Sequence, residues 1–166
     1  VVMMEKFDPI EALALIEEYS ITHSQWVPTM FTRMLKRPVE EREQFDLSSH
    51  EVAIHAAAPC PVGVKQAMID WWGPILHEYY GGTELNGLTY CNSEQWLAHP
   101  GTVGVPVLGT LHICAEDGTE LPPGESGLVY FELPEMQFEY FKDNSKTRSA
   151  QHPDHSNWSA LGDVGY

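Results

Sequence analysis

Positive charge is scarce in this chain. Nine lysines and arginines stand against 24 aspartates and glutamates, a formal charge of −15 over 166 residues. Nucleic acid and anionic membrane surfaces both demand the opposite balance, so the composition argues against either as a partner. A phosphate ligand stays open, because one bound cation reverses the local field. Cysteine is as sparse. Cys60, Cys91 and Cys114 are far apart and form no CxxC pair, which argues against a zinc ribbon or a disulfide framework and fits a reducing compartment, the cytoplasm. No apolar run reaches the length of a membrane span, and there is no internal repeat. No basic lead precedes Val1-Val2-Met3-Met4 as it would in a signal peptide. Both ends, this one and Leu161-Gly162-Asp163-Val164-Gly165-Tyr166, break off in mid-pattern, so the expectation is a piece of a longer polypeptide.

What is present suffices for a core: 43% of the residues are apolar and 11% aromatic. Asp8-Pro9-Ile10-Glu11 reads as a capped helix start with a capping-box geometry, followed by an apolar stripe of Ile10, Leu13, Ala14 and Ile16 that ends near Tyr19. Residues 21–27 read as a short strand stopped by Pro28, and 29–35 as a helix. The charged stretch 39–49, with Glu40-Glu41-Arg42-Glu43, reads as a solvated connection. Residues 51–57 read as a strand ended by Pro59 and Pro61. Residues 62–72 have helical spacing with Val64, Ala67, Met68 and Trp71 on one face and Gly73 as C′. Residues 75–80 are again a strand. Strands alternating with helices predict a parallel sheet with packed helices, an α/β lobe over 1–97.

After about residue 98 the punctuation changes. Pro100-Gly101, Gly104, Pro106 and Gly109 divide short apolar runs. Residues 110–115 alternate as a strand, Asp117-Gly118 reads as a hairpin turn, Leu121-Pro122-Pro123-Gly124 as a second turn, and 127–133 as another strand. The expectation for 98–166 is a β-rich lobe, a small antiparallel sheet or barrel. Residues 135–157 give weak signals.

The richest run is Tyr80-Gly81-Gly82-Thr83-Glu84, at the end of the strand candidate. The ring can stack on a flat heterocycle, the glycines let a ligand approach the backbone, Thr83 can donate to a phosphate oxygen, and Glu84 offers magnesium a hard oxygen. A Gly-Gly turn before a helix capped by Thr83 would read the same.

The order of motifs carries more than any one of them. Ala56-Ala57-Ala58-Pro59 follows one strand and Tyr80-Gly81-Gly82-Thr83-Glu84 the next. Then come Pro100-Gly101-Thr102-Val103-Gly104, Leu121 to Tyr130 with its Pro-Pro-Gly-Glu turn, and Trp158 leading into Gly162-Asp163-Val164-Gly165-Tyr166. This succession, with Phe7-Asp8-Pro9 and Thr22 to Thr29, resembles the adenylate-forming superfamily over essentially the whole chain, nearest its fatty-acyl and aryl-CoA ligases.

The resemblance implies an enzyme that couples ATP and a carboxylic acid, here read as a fatty acid, to an acyl-adenylate and passes the acyl group to coenzyme A. It implies that Ala57, Ala58 and Pro59, with Glu78, Tyr79 and Tyr80, surround the adenine. Thr83, beside Gly81, would meet the α-phosphate, Glu84 would hold Mg2+, and Asp163 would accept from both ribose hydroxyls. Gly82, Gly87 and Leu88 would border the acyl group. Two features depart from the family pattern. Gly127-Leu128 stands where Gly-Glu is usual, and Tyr79 where glycine is frequent. The family's Ser/Thr/Gly-rich phosphate loop ending in lysine does not occur in the chain, nor does its lysine-bearing lid. The expectation is therefore that this piece, without the rest of its polypeptide, neither adenylates nor thioesterifies, and that its uncovered apolar surface favours self-association.

Other readings stay open from the residues. An aryl-CoA ligase or another adenylation domain fits the same motifs, and a non-catalytic, two-lobed binding module would use the glycine loops as plain turns. Asp163 between glycines could be a turn aspartate. His55 reads as cavity lining or as a satisfied core histidine, and His152-Pro153-Asp154-His155 as a solvated loop in preference to a metal site. Cys60 has no paired base, which argues against a nucleophile.

Overall fold

Asp8 opens the first helix: its carboxylate accepts from the amides of Ile10 and Glu11 at 2.9 and 3.1 Å, and Pro9 takes a position where its missing N–H costs nothing. In the computed structural model, which describes residues 1–136 and 138–166, this helix α1 runs Pro9–Glu18. Leu13 and Ile16 face the core as the spacing predicts, joined by Ala12 where Ala14 was expected. Then follow β1 (His23–Trp26), α2 (Pro28–Leu35), the single turn α3 (Val39–Arg42), β2 (Val52–His55), α4 (Val62–Trp72) and β3 (Leu76–Gly81). Gly73 ends α4 at φ 83°. The buried face of α4 is Lys65, Met68 and Ile69, shifted from the expected face because Lys65 goes inward.

Among the elements that went unread in the sequence are β4 (Leu88–Asn92) and α5 (Ser93–Ala98). Asn92 caps α5 by accepting from the Gln95 amide at 2.9 Å, while the Gln95 side chain accepts from the Asn92 amide at 3.0 Å. This is the reciprocal capping box that was expected around Asp8 and Glu11. With β5 (Val105–Leu108) the strands form a five-stranded sheet in the order β1-β2-β3-β4-β5. β1, β2 and β3 run parallel, with His23 opposite Val52 and Ala53 opposite Leu76. The connection 82–87 is far too short for a parallel crossover, so β4 returns antiparallel to β3 and the sheet is mixed.

The chain divides into two compact units: Val1–Tyr80 with Tyr90–Gly104, and Gly81–Thr89 with Val105–Tyr166. The core of the first gathers Leu13, Ile16, Trp26, Phe31, Met34, Met68, Leu76 and Trp96. The second holds a three-stranded antiparallel sheet in the order β6-β7-β8, formed by β6 (Thr110–Cys114), β7 (Gly127–Glu132) and β8 (Trp158–Gly165), with the short α6 (Asn144–Ser149) before β8. Among the described residues this sheet is open, which corrects the barrel-like expectation. The Asp117-Gly118 turn forms as read, with the Ala115 amide donating to Thr119 O at 2.8 Å. Cys114, Tyr130, Trp158 and Ala160 are the buried centre of this sheet.

Candidate functional site

In the second unit the segment 82–87 is a tight loop leading straight into β4. The Leu85 amide closes a turn on Gly82 O at 3.1 Å, and Leu85 itself is held at φ 57°, a left-handed conformation that costs a residue with a Cβ about 1–2 kcal/mol. No helix follows Thr83, so the reading of a helix capped by that hydroxyl is corrected: Thr83 is an exposed turn residue. The glycine at 82 answers a packing demand. A Cβ there would stand 2.5 Å from Leu161 Cδ2 and 2.9 Å from Glu84 Oε2, so the loop backbone lies directly on the Leu161 side chain with the Glu84 carboxylate folded beside it.

Leu161 belongs to an irregular part of β8. Leu128 of β7 pairs with Val164 and Tyr130 with Ala160, so Leu161, Gly162 and Asp163 all stand opposite the single residue Val129. Gly162, at φ 92°, makes this bulge possible. A bulge interrupts the ladder and re-aims side chains, and bulges gather beside active sites. Asp163 sits on it, exposed, two residues along the strand from the side chain that supports the Gly82–Glu84 loop. The adjacent Thr83 and Glu84, and Asp163 far from them in sequence, are thus carried by two adjoining features of one unit.

Glu84 has a partner the sequence did not announce. The Tyr140 hydroxyl donates to its Oε1 at 3.0 Å. Tyr140 is fixed in turn: its amide donates to Thr147 Oγ1 at 2.8 Å, Lys146 Nζ lies 4.0 Å from its ring centroid, and Phe138 packs against it with centroids 5.5 Å apart. Partial burial and the Glu84 carboxylate together raise the Tyr140 hydroxyl above the ordinary phenol range, which keeps it a donor. Gly87 is buried against the Phe131 ring, and Leu88 packs near Gly81 as β4 begins.

The first unit carries the other predicted residues. Ala57, after β2, is held at φ 72°, a second strained position, and leads into Ala58 and Pro59. On β3, Glu78 is buried, and its Oε2 accepts from Lys65 Nζ at 2.5 Å. Its carboxylate is therefore committed to the interior, and the backbone is what Glu78 leaves for a ligand. Tyr79, on the opposite face, accepts from Gln25 Nε2 at 3.3 Å, and Tyr80 is partly exposed near the strand's end. Lys65 is fully buried and has the Trp96 ring at 5.2 Å.

His55, also fully buried, lies 3.7 Å from Glu78 Oε2, beyond hydrogen-bond reach of a carboxylate already taken by Lys65. Burial first, and then the Lys65 charge, push its pKa down to about 3, so it is a neutral core histidine. Burial and the Glu78 charge push the Cys60 thiol up to about 11, far from a nucleophile. His152 is buried in the second unit. Its Nε2 donates to Gly118 O at 2.8 Å and its Nδ1 accepts from the Asp154 amide at 3.1 Å, so both nitrogens serve packing. No cluster of three or more His, Cys, Asp or Glu suited to a metal occurs among the described residues, and no helix among them is long and apolar enough to cross a membrane.

Comparison with known proteins extends the same architecture. The chain is 30% identical over 167 residues to the long-chain-fatty-acid–CoA ligase of Bacillus subtilis (strain 168), covering 99% of this chain and 29% of that protein. It is 28% identical over 170 residues to the probable 4-coumarate–CoA ligase 1 of Dictyostelium discoideum, covering 100% of this chain and 30% of that protein. The chain thus spans 29–30% of the length of these relatives. Its fold superposes with a TM-score of 0.79 on ATP-bound MatB from Rhodopseudomonas palustris, at 28% identity over 98% of this chain and 31% of that one. With the amide bond synthetase McbA from Marinactinospora thermotolerans the TM-score is 0.82, at 25% identity over 99% of this chain and 33% of that one. A family model for the AMP-binding enzyme matches residues 1–141, from the start of the chain through the Gly82–Glu84 loop to just past Tyr140, and on that extent the chain belongs to the AMP-binding enzyme family.

Proposed function

We propose that the whole protein is an ATP-dependent acid–CoA ligase acting on a fatty acid in the cytoplasm. The substrate carboxylate attacks the α-phosphorus of ATP, the bond to the β,γ-phosphates breaks, and pyrophosphate leaves. The acyl-adenylate then yields its acyl group to the thiol of coenzyme A. The observation that carries the reading is the seating of the Gly82–Glu84 loop on Leu161, which brings the loop carboxylate and the bulge aspartate into one unit. A phosphate-binding and a ribose-binding group need that proximity if one nucleotide is to reach both.

In this reading Thr83, exposed at the turn, donates to an α-phosphate oxygen. Gly81 and Gly82 keep the approach clear. Asp163 accepts from the two ribose hydroxyls, a task for which a carboxylate has enough lone pairs. Ala57, Ala58, Pro59, Tyr79 and Tyr80 are assigned to the purine by the order of the motifs, with Glu78 contributing through its main chain.

Glu84 fits a magnesium ion in a specific way. Tyr140 occupies Oε1, Oε2 remains, and one carboxylate completed by substrate phosphates and waters is the usual provision for Mg2+. When bound, the ion neutralises charge on the phosphates during displacement. Thr83 and the glycine backbone supply alignment, which is most of what phosphoryl chemistry asks of a protein. Gly87 and Leu88 stand toward the acyl group. Leu85, with Leu108, Leu133 and Pro134, lines an apolar concavity of about 290 Å3 that favours an apolar acid over a charged one. Cys60, Cys91 and Cys114 are all thiols, in keeping with a reducing setting.

Pyrophosphate release by the full-length protein, with panels of fatty and aryl acids, tests the reading. Glu84→Gln should lower the rate by about 100-fold or more, as loss of a preorganised charge does in comparable sites. Asp163→Ala should raise the ATP concentration for half-maximal rate about tenfold while leaving that for the acid in place. Undiminished turnover in Glu84→Gln would remove the metal assignment, and faster turnover of aryl acids would replace the fatty acid. These 166 residues alone should show no turnover.

A further inference from the structure

We propose that Tyr140 is a positioning residue for the reaction, holding the Glu84 carboxylate in the one orientation that leaves Oε2 for a divalent cation. The inference rests on the ligase reading above and goes past it, since neither the motif order nor the loop chemistry points to residue 140.

A glutamate on a turn has three rotatable side-chain bonds and, on an exposed loop, samples many orientations. Here one oxygen is tied. The Tyr140 hydroxyl donates to Oε1 at 3.0 Å, and Oε2 lies over the Gly82 backbone, 2.9 Å from where a Cβ would stand. A phenol donates to a carboxylate without cancelling its charge, so the fixed group stays an anionic ligand.

The donor is itself held by independent contacts. Its amide binds Thr147 Oγ1 at 2.8 Å, and that hydroxyl donates to Asp143 O at 3.0 Å in the first turn of α6. Lys146, from the same turn, places its ammonium 4.0 Å from the Tyr140 ring centroid, within the range of cation–π attraction. Phe138 packs against the ring as well, with centroids 5.5 Å apart and its plane inclined 73° to that of Tyr140. The start of α6 therefore orients Tyr140, and Tyr140 orients Glu84. A lone surface tyrosine would need none of this bracing.

The test uses the full-length protein and follows two readouts against free magnesium concentration, pyrophosphate release at saturating ATP and acid and the equilibrium affinity for ATP by calorimetry, the second of which should lose its magnesium dependence in step with the first. Tyr140→Phe removes one oxygen and should raise the magnesium needed for half-maximal rate by about tenfold, the scale of one hydrogen bond to a charged group. The acid concentration for half-maximal rate should stay within about twofold. On a Glu84→Gln background the same change should add nothing, because the two act as one unit. Tyr140→Gln, which offers an N–H on a flexible chain, should recover part of the loss and remains informative if the phenylalanine variant does not fold. An unchanged magnesium curve in folded Tyr140→Phe, with Glu84→Gln inactive, overturns the positioning role alone. An active Glu84→Gln overturns the metal reading beneath it.

Discussion

Lys65 shows how far a single residue can depart from what its type suggests. A lysine at the centre of an amphipathic helix reads as a solvated position, yet Lys65 is fully buried and reaches Glu78 at 2.5 Å. Two charges in the interior repay their desolvation only when both are present. Removing one strands the other, at a cost of about 3–5 kcal/mol, whereas replacing both by apolar groups of similar volume is neutral or stabilising. Lys65→Ala should therefore lower the denaturation midpoint severely, and Lys65→Met with Glu78→Leu should restore it. If the double variant were no more stable than Lys65→Ala, the ion pair would not be the source of the loss. Nothing local in the sequence points to this pair. Lys65 and Glu78 lie on different elements, and only the packing of α4 on β3 explains why either charge is inside. Tyr140 was hidden for the same reason: its partner is 56 positions away, in a segment without periodicity. Glu84 and Asp163, by contrast, stood out in the sequence as candidates, Glu84 two positions after the Gly81-Gly82 pair and Asp163 directly after Gly162, and the nucleotide roles proposed for them came from the order of the motifs.

At the scale of elements, the first half of the fold was written plainly. Asp8-Pro9, Pro28 and Gly73 mark ends that the structure keeps within a residue or two. The segment 86–98 was not read, although Asn92 and Gln95 stand three apart as a capping box requires. The strand before it, β4, is only Leu88–Asn92 and follows a loop whose chemistry drew the reading elsewhere. What fixes the start of β4 is a packing contact. A Cβ on Gly87 would lie 2.1 Å from two atoms of the Phe131 ring, and Phe131 is fully buried in β7. Neither ring nor backbone can yield freely, so Gly87→Ala must push the loop away from β7. Overpacking of this kind costs about 1–3 kcal/mol. The variant should melt earlier and lose activity in proportion to the loop's displacement, and Phe131→Leu in the same chain should recover part of the stability by opening space. Full stability of Gly87→Ala would mean that the loop has slack and does not hold Glu84 in place by packing.

At the scale of the molecule, the proton balance decides when this acidic chain is stable. Two histidines are buried in the first unit. His50 is held down to about 4, chiefly by burial and then by the charge of His23, and His55 to about 3, by burial and then by Lys65. Unfolded histidine titrates near pH 6.5. Both folded values lie below that, so between them the unfolded chain binds more protons than the native one, and falling pH favours unfolding. The stability is complete above about pH 6.5 and is lost progressively as the pH drops toward the folded values, at up to about 1.4 kcal/mol per pH unit for each histidine. The chain's surplus of carboxylates pulls the other way, since protonating them relieves the repulsion within a formal charge of −15. Ordinary carboxylates, however, titrate near pH 4. The window from about pH 6.5 to 5 therefore isolates the histidines. Denaturant midpoints of the full-length protein at pH 7.5, 6.5 and 5.5 should be level over the first interval and fall over the second. His55→Leu, which keeps bulk against Phe31 without a titrating ring, should make the fall shallower by about one proton's worth of slope. A midpoint that holds steady down to pH 5.5 would mean that these two rings reach water in the folded protein, contrary to the burial that makes them part of its core.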